Sequence, residues 1–129
     1  MQQSQRNESV RTILGLLSPK GRANRRKFWV LGFAVTIAFW ALFALLEQLF
    51  GAGSAVTLLL YPPFFWAAFV LSARRFHDMD KPVWWLLLIL IPLIGPILVA
   101  VALGFLRGTA GANRYGPDPS VRPDYMVVG

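Results

Sequence analysis

Three long runs of apolar residues dominate the chain, and short polar stretches separate them. The runs without a charged residue cover positions 28–46, 52–73 and 83–106 and are 19, 22 and 24 residues long. A helix needs about 20 apolar residues to cross a hydrocarbon layer of about 30 Å, and buried helices of soluble proteins are rarely so long and so uniformly apolar. The pattern therefore predicts an all-α membrane protein rather than a soluble helical bundle.

The third run carries a helix-breaking cluster at its centre, Ile91-Pro92-Leu93-Ile94-Gly95-Pro96-Ile97. Proline removes a backbone donor and clashes with the preceding turn, while glycine permits turn conformations. Each half of about 10–12 residues would measure about 15–18 Å as a helix, which reaches the middle of a bilayer without crossing it. We therefore expect two transmembrane helices plus a Pro/Gly-broken third apolar segment, which is either a helical hairpin or a kinked third span.

Prolines and tryptophans refine this pattern at particular points. Pro62 and Pro63 interrupt the second run, and a kink is expected there. Trp66 lies deeper in the same run, where we expect it to pack against a neighbouring helix. Tryptophans that stand beside basic residues at the ends of the runs are typical of an interfacial aromatic belt: Trp29, Trp84 and Trp85.

The distribution of charge predicts the orientation. Only 15% of the residues are charged, against roughly 25% in soluble domains. Of the 13 Lys and Arg residues, seven precede the first run, three lie between the second and third runs, and three follow the third. Positive residues near membrane ends stay cytoplasmic, so the N-terminus and residues 74–81 are expected inside and residues 47–53 outside. The C-terminus is also cytoplasmic if the third run turns back.

Composition excludes several classes of function. The chain has no cysteine, so a disulfide framework and a cysteine-based metal site are impossible, and we expect no metal or cofactor. The sequence pI is about 10.9, yet no nucleic-acid partner is expected, because the basic residues lie directly against a membrane span without a recognisable nucleic-acid fold. We expect an N-terminal polar segment (1–20), one membrane domain (21–119) and a flexible tail (120–129).

Candidate binding residues lie first in the polar stretch before the first run. If the first helix begins near Ala23, the side chains of Arg22, Arg25 and Arg26 fall three and four residues apart on one face. They would then point at the phosphates of the inner leaflet, where each basic residue is worth roughly 1 kcal/mol. A role in setting the orientation alone explains this stretch equally well.

A second polar cluster follows the second run directly and contains Arg74, Arg75, His77 and Asp78. Arginine, histidine and carboxylate at this density can bind a phosphate group or form an internal lattice of ion pairs. A histidine and an aspartate also suggest acid–base catalysis. Adjacent residues on a helix point about 100° apart, however, so this pair needs an irregular backbone to interact, and we assign no catalytic residue.

The third polar cluster follows the third run and is rich in Gly, Pro, Asn and Asp, which mark turns. Taken together, the three clusters and the third run resemble the DUF805 family of bacterial inner-membrane proteins. The resemblance covers residues 21–119 and implies a location and an architecture, but no reaction. The residues that carry it are Gly21, Arg22, Arg25, Phe28 and Trp29; Arg74, Arg75, His77 and Asp78; Trp84, Trp85, Ile91, Pro92 and Gly95; and Gly108, Thr109, Gly111 and Asn113–Pro119.

Because the motif in the third polar cluster is so specific, we expect this cluster to pack against the second polar cluster. We therefore hypothesise a cytoplasmic polar cap in which Arg74, Arg75, His77 and Asp78 meet Asn113, Arg114, Tyr115 and Asp118. The favoured function is a membrane binding or scaffold protein whose basic cap engages anionic lipid head groups or a protein partner, with homo-oligomers possible. The alternatives are a small oligomeric transport or channel component and, third, an enzyme acting on lipid-linked substrates.

Overall fold

Helices make up the chain in a computed structural model that describes residues 1–120. Two helical segments, Arg25–Phe50 and Ala55–Asp78, are long and apolar enough to cross a membrane. This confirms the expected all-α architecture of two spans and a shorter third segment. Of the tail predicted for 120–129, all but the first residue lies outside the described residues. In chain order the elements are α1 (Gln2–Leu17), α2 (Arg25–Phe50), a first 3₁₀ helix (Ala55–Leu60), α3 (Tyr61–Asp78), a second 3₁₀ helix (Val83–Leu90) and α4 (Ile94–Phe105).

The start of α2 differs from the expected start near Ala23. Asn24 is the N-cap, and its side-chain oxygen accepts a hydrogen bond from the backbone N–H of Lys27 at 2.8 Å, which satisfies a donor that the first turn leaves free. Arg22 therefore precedes the helix, and its side chain is buried. The expectation that Arg22 shares a helix face with Arg25 and Arg26 is wrong.

Consecutive prolines begin α3 instead of kinking the middle of a helix. Pro62 and Pro63 lie in its first turn, where a missing N–H has no helical partner to lose. The expected irregularity takes the form of a change from 3₁₀ to α geometry between Leu60 and Tyr61. Just beyond it, aromatic rings join α2 to α3, with the ring centroids of Phe39 and Phe64 4.5 Å apart.

The third apolar run is a hairpin, formed by the second 3₁₀ helix and α4. The two arms are about 16 Å and 18 Å long at the rises of 3₁₀ and α geometry, and Leu93 adopts a positive φ of 66° at the turn. The hairpin starts shortly after Asp78 in the sequence. Beyond α4 the chain returns to the same place, where the backbone N–H of Thr109 donates to the Asp78 carbonyl at 2.7 Å. Of the two alternatives left open by the sequence, the structure therefore shows the hairpin and not the kinked span.

Contacts with both long helices fix α4 in place. The buried side chains of Phe76 and Met79, at the end of α3, pack against Val99 and Leu103 of α4. On the other side, the indole N–H of Trp29 donates to the Gly104 carbonyl at 3.1 Å. These contacts hold the hairpin at the end of the molecule where α2 starts and α3 ends.

Candidate functional site: a polar cap with an open cleft

The polar cap (residues 20–25, 74–81 and 106–118) is centred on the carboxylate of Asp78. Oδ1 of Asp78 lies 3.0 Å from the guanidinium of Arg22, and Oδ2 lies 2.8 Å from that of Arg75. Both arginine side chains are 1% exposed or less. One aspartate thus holds two arginines from different parts of the chain in a buried cluster of ion pairs.

The remaining donors of these arginines bind backbone carbonyls at the end of α4 and in the segment that follows it. Arg22 donates to the carbonyls of Thr109 and Gly111, each at 2.6 Å. Arg75 donates to the carbonyl of Leu103 at 2.8 Å and to that of Leu106. Within residues 1–120, no buried side-chain nitrogen or oxygen lacks a hydrogen-bond partner. The cluster is therefore fully satisfied, which is the condition under which buried charges are tolerated.

Gly108 allows the segment after α4 to approach the ion-pair cluster. A Cβ added there would overlap the carboxylate of Asp78, and two arginines prevent that carboxylate from moving away. The neighbouring Thr109 donates from its backbone N–H and from its hydroxyl to the Asp78 carbonyl, at 2.7 and 3.0 Å. The glycine and threonine of the third polar cluster therefore act as its attachment point.

The side chain of His77 faces the loop after α4 and not the side chain of Asp78. Its ring stacks on that of Tyr115 with centroids 3.9 Å apart and an interplanar angle of 1°. The backbone carbonyl of His77 accepts a hydrogen bond from the side-chain amide of Asn113 at 2.9 Å. Nδ1 of His77 lies 3.2 Å from the Gly21 carbonyl. Histidine and aspartate thus have different partners, and the arrangement does not form a catalytic dyad.

The outer part of the cap is tied by weaker, exposed interactions. Arg114 pairs with Asp80 at 3.2 Å. Asp118 accepts from the backbone N–H groups of Ser120 and Gly111 at 2.8 and 3.1 Å, and these bonds lower its pKa below the usual value. Asp118 is therefore ionised at neutral pH.

Of the residues predicted for the cap, Arg74 alone turns away from the loop after α4. Its guanidinium donates to the carbonyl of Ser18 at 2.7 Å, near the end of α1. The structure thus brings Arg22 into the cap with Arg75, His77 and Asp78, and it places Arg74 at the junction with α1.

An open cleft of about 320 Å³ lies between the start of α2 and the loop after α4. The exposed residues Arg25 and Arg107 line it, together with Thr109 and Asp118. Arg26 is exposed at the same end of α2. Arg107 was missed as a site residue because the sequence shows it only as one more charge after an apolar run.

Comparison with known proteins places this architecture in context. A family model described as "Protein of unknown function (DUF805)" matches residues 16–117. "Inner membrane protein YhaH" of Escherichia coli (strain K12) is 36% identical over 109 residues, which are 81% of this chain and 88% of the relative. "Inner membrane protein YhaI" of the same strain is 34% identical over 100 residues, which are 77% of this chain and 83% of the relative. No solved structure matches the chain.

Proposed function

Since the chain belongs to the DUF805 family and is an integral inner-membrane protein like its E. coli relatives, we propose that it binds anionic lipid head groups in the cleft of its polar cap. By holding such lipids it would serve as a binding or scaffold protein of the membrane. The observation that carries the proposal is the division of the cap arginines into two sets. Arg22 and Arg75 are buried and bound internally, whereas Arg25 and Arg107 are exposed on the walls of the open cleft.

The chemistry of the cleft suits a phosphate group. Arginine presents a planar fork of N–H donors that matches phosphate oxygens in a bidentate arrangement. Two acidic residues also line the cleft, but Asp78 is already paired with two buried arginines. The volume of about 320 Å³ lies within the usual range of small-molecule sites. Two arginines and two aspartates line the cleft, and the two buried arginines paired with Asp78 bring the local net charge to +2, which favours an anionic ligand.

Removing the two exposed arginines is expected to weaken lipid binding. The double variant Arg25→Gln/Arg107→Gln loses both cleft guanidiniums, each worth roughly 1 kcal/mol towards an anionic lipid, so the dissociation constant for phosphatidylglycerol should rise roughly 30-fold. The measurement is native mass spectrometry of the purified protein in detergent micelles titrated with that lipid. Phosphatidylcholine, which carries no net charge, is expected to bind both proteins equally weakly.

A matched control distinguishes lipid binding in the cleft from attraction of the lipid by the net charge of the protein. The variant Lys20→Gln/Lys27→Gln removes the same charge from exposed positions that do not line the cleft and is expected to keep most of the affinity of the unmodified protein. Equal weakening in the two double variants would show that net charge alone attracts the lipid. Unchanged binding in the cleft variant would show that the head group binds elsewhere.

The orientation that this function needs places the N-terminus, residues 74–81 and residues 106–118 in the cytoplasm. The excess of Lys and Arg in these segments supports it, as does the hairpin, which returns the chain to the end where α2 starts. Because the chain has no cysteine, Ser4→Cys, Ala52→Cys and Ser120→Cys each introduce a unique thiol. In intact spheroplasts a membrane-impermeant maleimide should label only Ala52→Cys, and it should label the other two after lysis. Labelling of Ser120→Cys before lysis would contradict the proposed orientation.

A further inference from the structure

Helix α1 changes character along its length. Residues 2–9 are all polar, whereas residues 10–17 contain five large apolar side chains. None of the sixteen residues of α1 is buried, and the exposed fractions of Ile13, Leu14 and Leu16 lie between 56% and 63%. Protein within residues 1–120 therefore leaves the apolar half of α1 uncovered.

The apolar end of α1 is nevertheless fixed to a membrane-spanning segment. The indole N–H of Trp66 donates to the Leu17 carbonyl at 3.0 Å. Arg74 donates to the carbonyls of Gly15 and Ser18. Trp66 and Arg74 are eight residues apart on α3, about 12 Å along its axis, so the end of α1 runs beside the apolar surface of a span.

These hydrogen bonds satisfy backbone carbonyls that would otherwise lack a donor at a helix end in an apolar environment. The last four carbonyls of a helix have no partner within the helix, and in water the solvent would satisfy them. In lipid, each unsatisfied carbonyl costs several kcal/mol. Here an indole and a guanidinium supply the donors, and the positive charge also suits the negative end of the helix dipole.

From this geometry we propose that α1 is an interfacial helix, whose apolar half (residues 10–17) is inserted among the acyl chains of the leaflet that adjoins the polar cap. A groove of about 250 Å³ between α1, α2 and α3, lined by Leu17, Leu31, Trp66 and Leu71 among others, continues the apolar surface onto the spans. The basic residues of α1 are Arg6 in its polar half and Arg11 near the boundary between the halves, whose long side chain extends to the head groups while its stem lies along the apolar surface. The partner is therefore a phospholipid bilayer with anionic head groups, which attract basic residues at its surface.

Spin labels on single cysteines test this insertion directly. The cysteine-free chain accepts one label at a time, at Ile13→Cys, at Leu14→Cys or, in the polar half, at Ser4→Cys. In vesicles of phosphatidylethanolamine and phosphatidylglycerol, power saturation compares collisions with oxygen, which concentrates in lipid, and with a nickel chelate, which stays in water. A label at the exposed mid-span position Ile37→Cys is the benchmark for lipid.

The expected result is an inversion of the oxygen-to-nickel ratio along α1. Labels at positions 13 and 14 should give a ratio like that at position 37, and the label at position 4 should favour nickel. If all three α1 labels favour nickel, the helix projects into water and the proposal is wrong. If the labels at 13 and 14 exclude both reagents and show spin–spin broadening, a second copy covers the helix, and the proposal is also wrong. Neither result depends on whether the cleft binds lipid.

Discussion

Replacing Asp78 by asparagine is expected to destabilise the protein by about 3–5 kcal/mol, because it leaves two buried guanidiniums without their counter-ion. Asparagine has nearly the same shape, so the effect arises from the lost charge and not from packing. It also turns one acceptor oxygen into an NH₂ group facing Arg22 or Arg75. Unfolding by SDS in mixed micelles, followed by tryptophan fluorescence, measures the change in the free energy of unfolding.

The chain offers a close control for this substitution at Asp80, two residues away. Its carboxylate pairs with Arg114, but the side chains are 38% and 66% exposed. Exposed ion pairs contribute roughly 0–1 kcal/mol, so Asp80→Asn should change stability by no more than that. Equal effects of the two substitutions would contradict the buried ion-pair cluster.

Local sequence carries much of the fold. The lengths of the apolar runs fix two spans, since hydrocarbon thickness alone sets that requirement. Pro92, Gly95 and Pro96 locate the break in the third run, because each residue acts on its own backbone. Whether that run turns back depends on where its far end binds. The carbonyl of Asp78 and the N–H of Thr109 decide it, and they are too distant in sequence for any local pattern to pair them.

The roles of the arginines in the cap depend on similarly distant contacts. Arg22 and Arg25 look alike in sequence, yet the Asn24 cap separates them into a residue before the helix and a residue within it. The burial of Arg22 follows from its ion pair with Asp78, which only the folded structure shows. The attachment of α1 was missed for the same reason, since its partners Trp66 and Arg74 lie about 50 residues away. Trp66, expected to be a packing residue, lines the groove between α1 and the spans and also donates to the end of α1.

The ion-pair cluster and the hairpin support each other. Arg22 and Arg75 bind carbonyls between Leu103 and Gly111, so they stay satisfied only while the chain returns to the cap. Arg107, one of the exposed arginines of the returning segment, lies on the wall of the cleft. A change that opens the hairpin is therefore expected to release the buried cluster and the proposed lipid site together.

Gly95→Ala is the substitution that tests this coupling most directly. An added Cβ at Gly95 would overlap the backbone carbonyl of Leu88, which cannot rotate away as a flexible side chain would. We expect a loss of about 3 kcal/mol, at the upper end of overpacking effects, measured by SDS unfolding. Because the arms separate, trypsin should also cleave faster after Arg107 in reconstituted protein, as the segment beyond α4 detaches from Asp78.

Gly32→Ala is the matched control, since it makes the same change within a transmembrane helix. The added Cβ would meet a side-chain atom of Leu71 at 3.7 Å, an ordinary contact, and alanine favours a helix over glycine by roughly 0.5–1 kcal/mol. This variant should be as stable as the unmodified protein or more so, with unchanged cleavage after Arg107. If Gly95→Ala behaves in the same way, the arms do not pack as closely as described. If it loses stability without faster cleavage, the hairpin and the cap are not coupled.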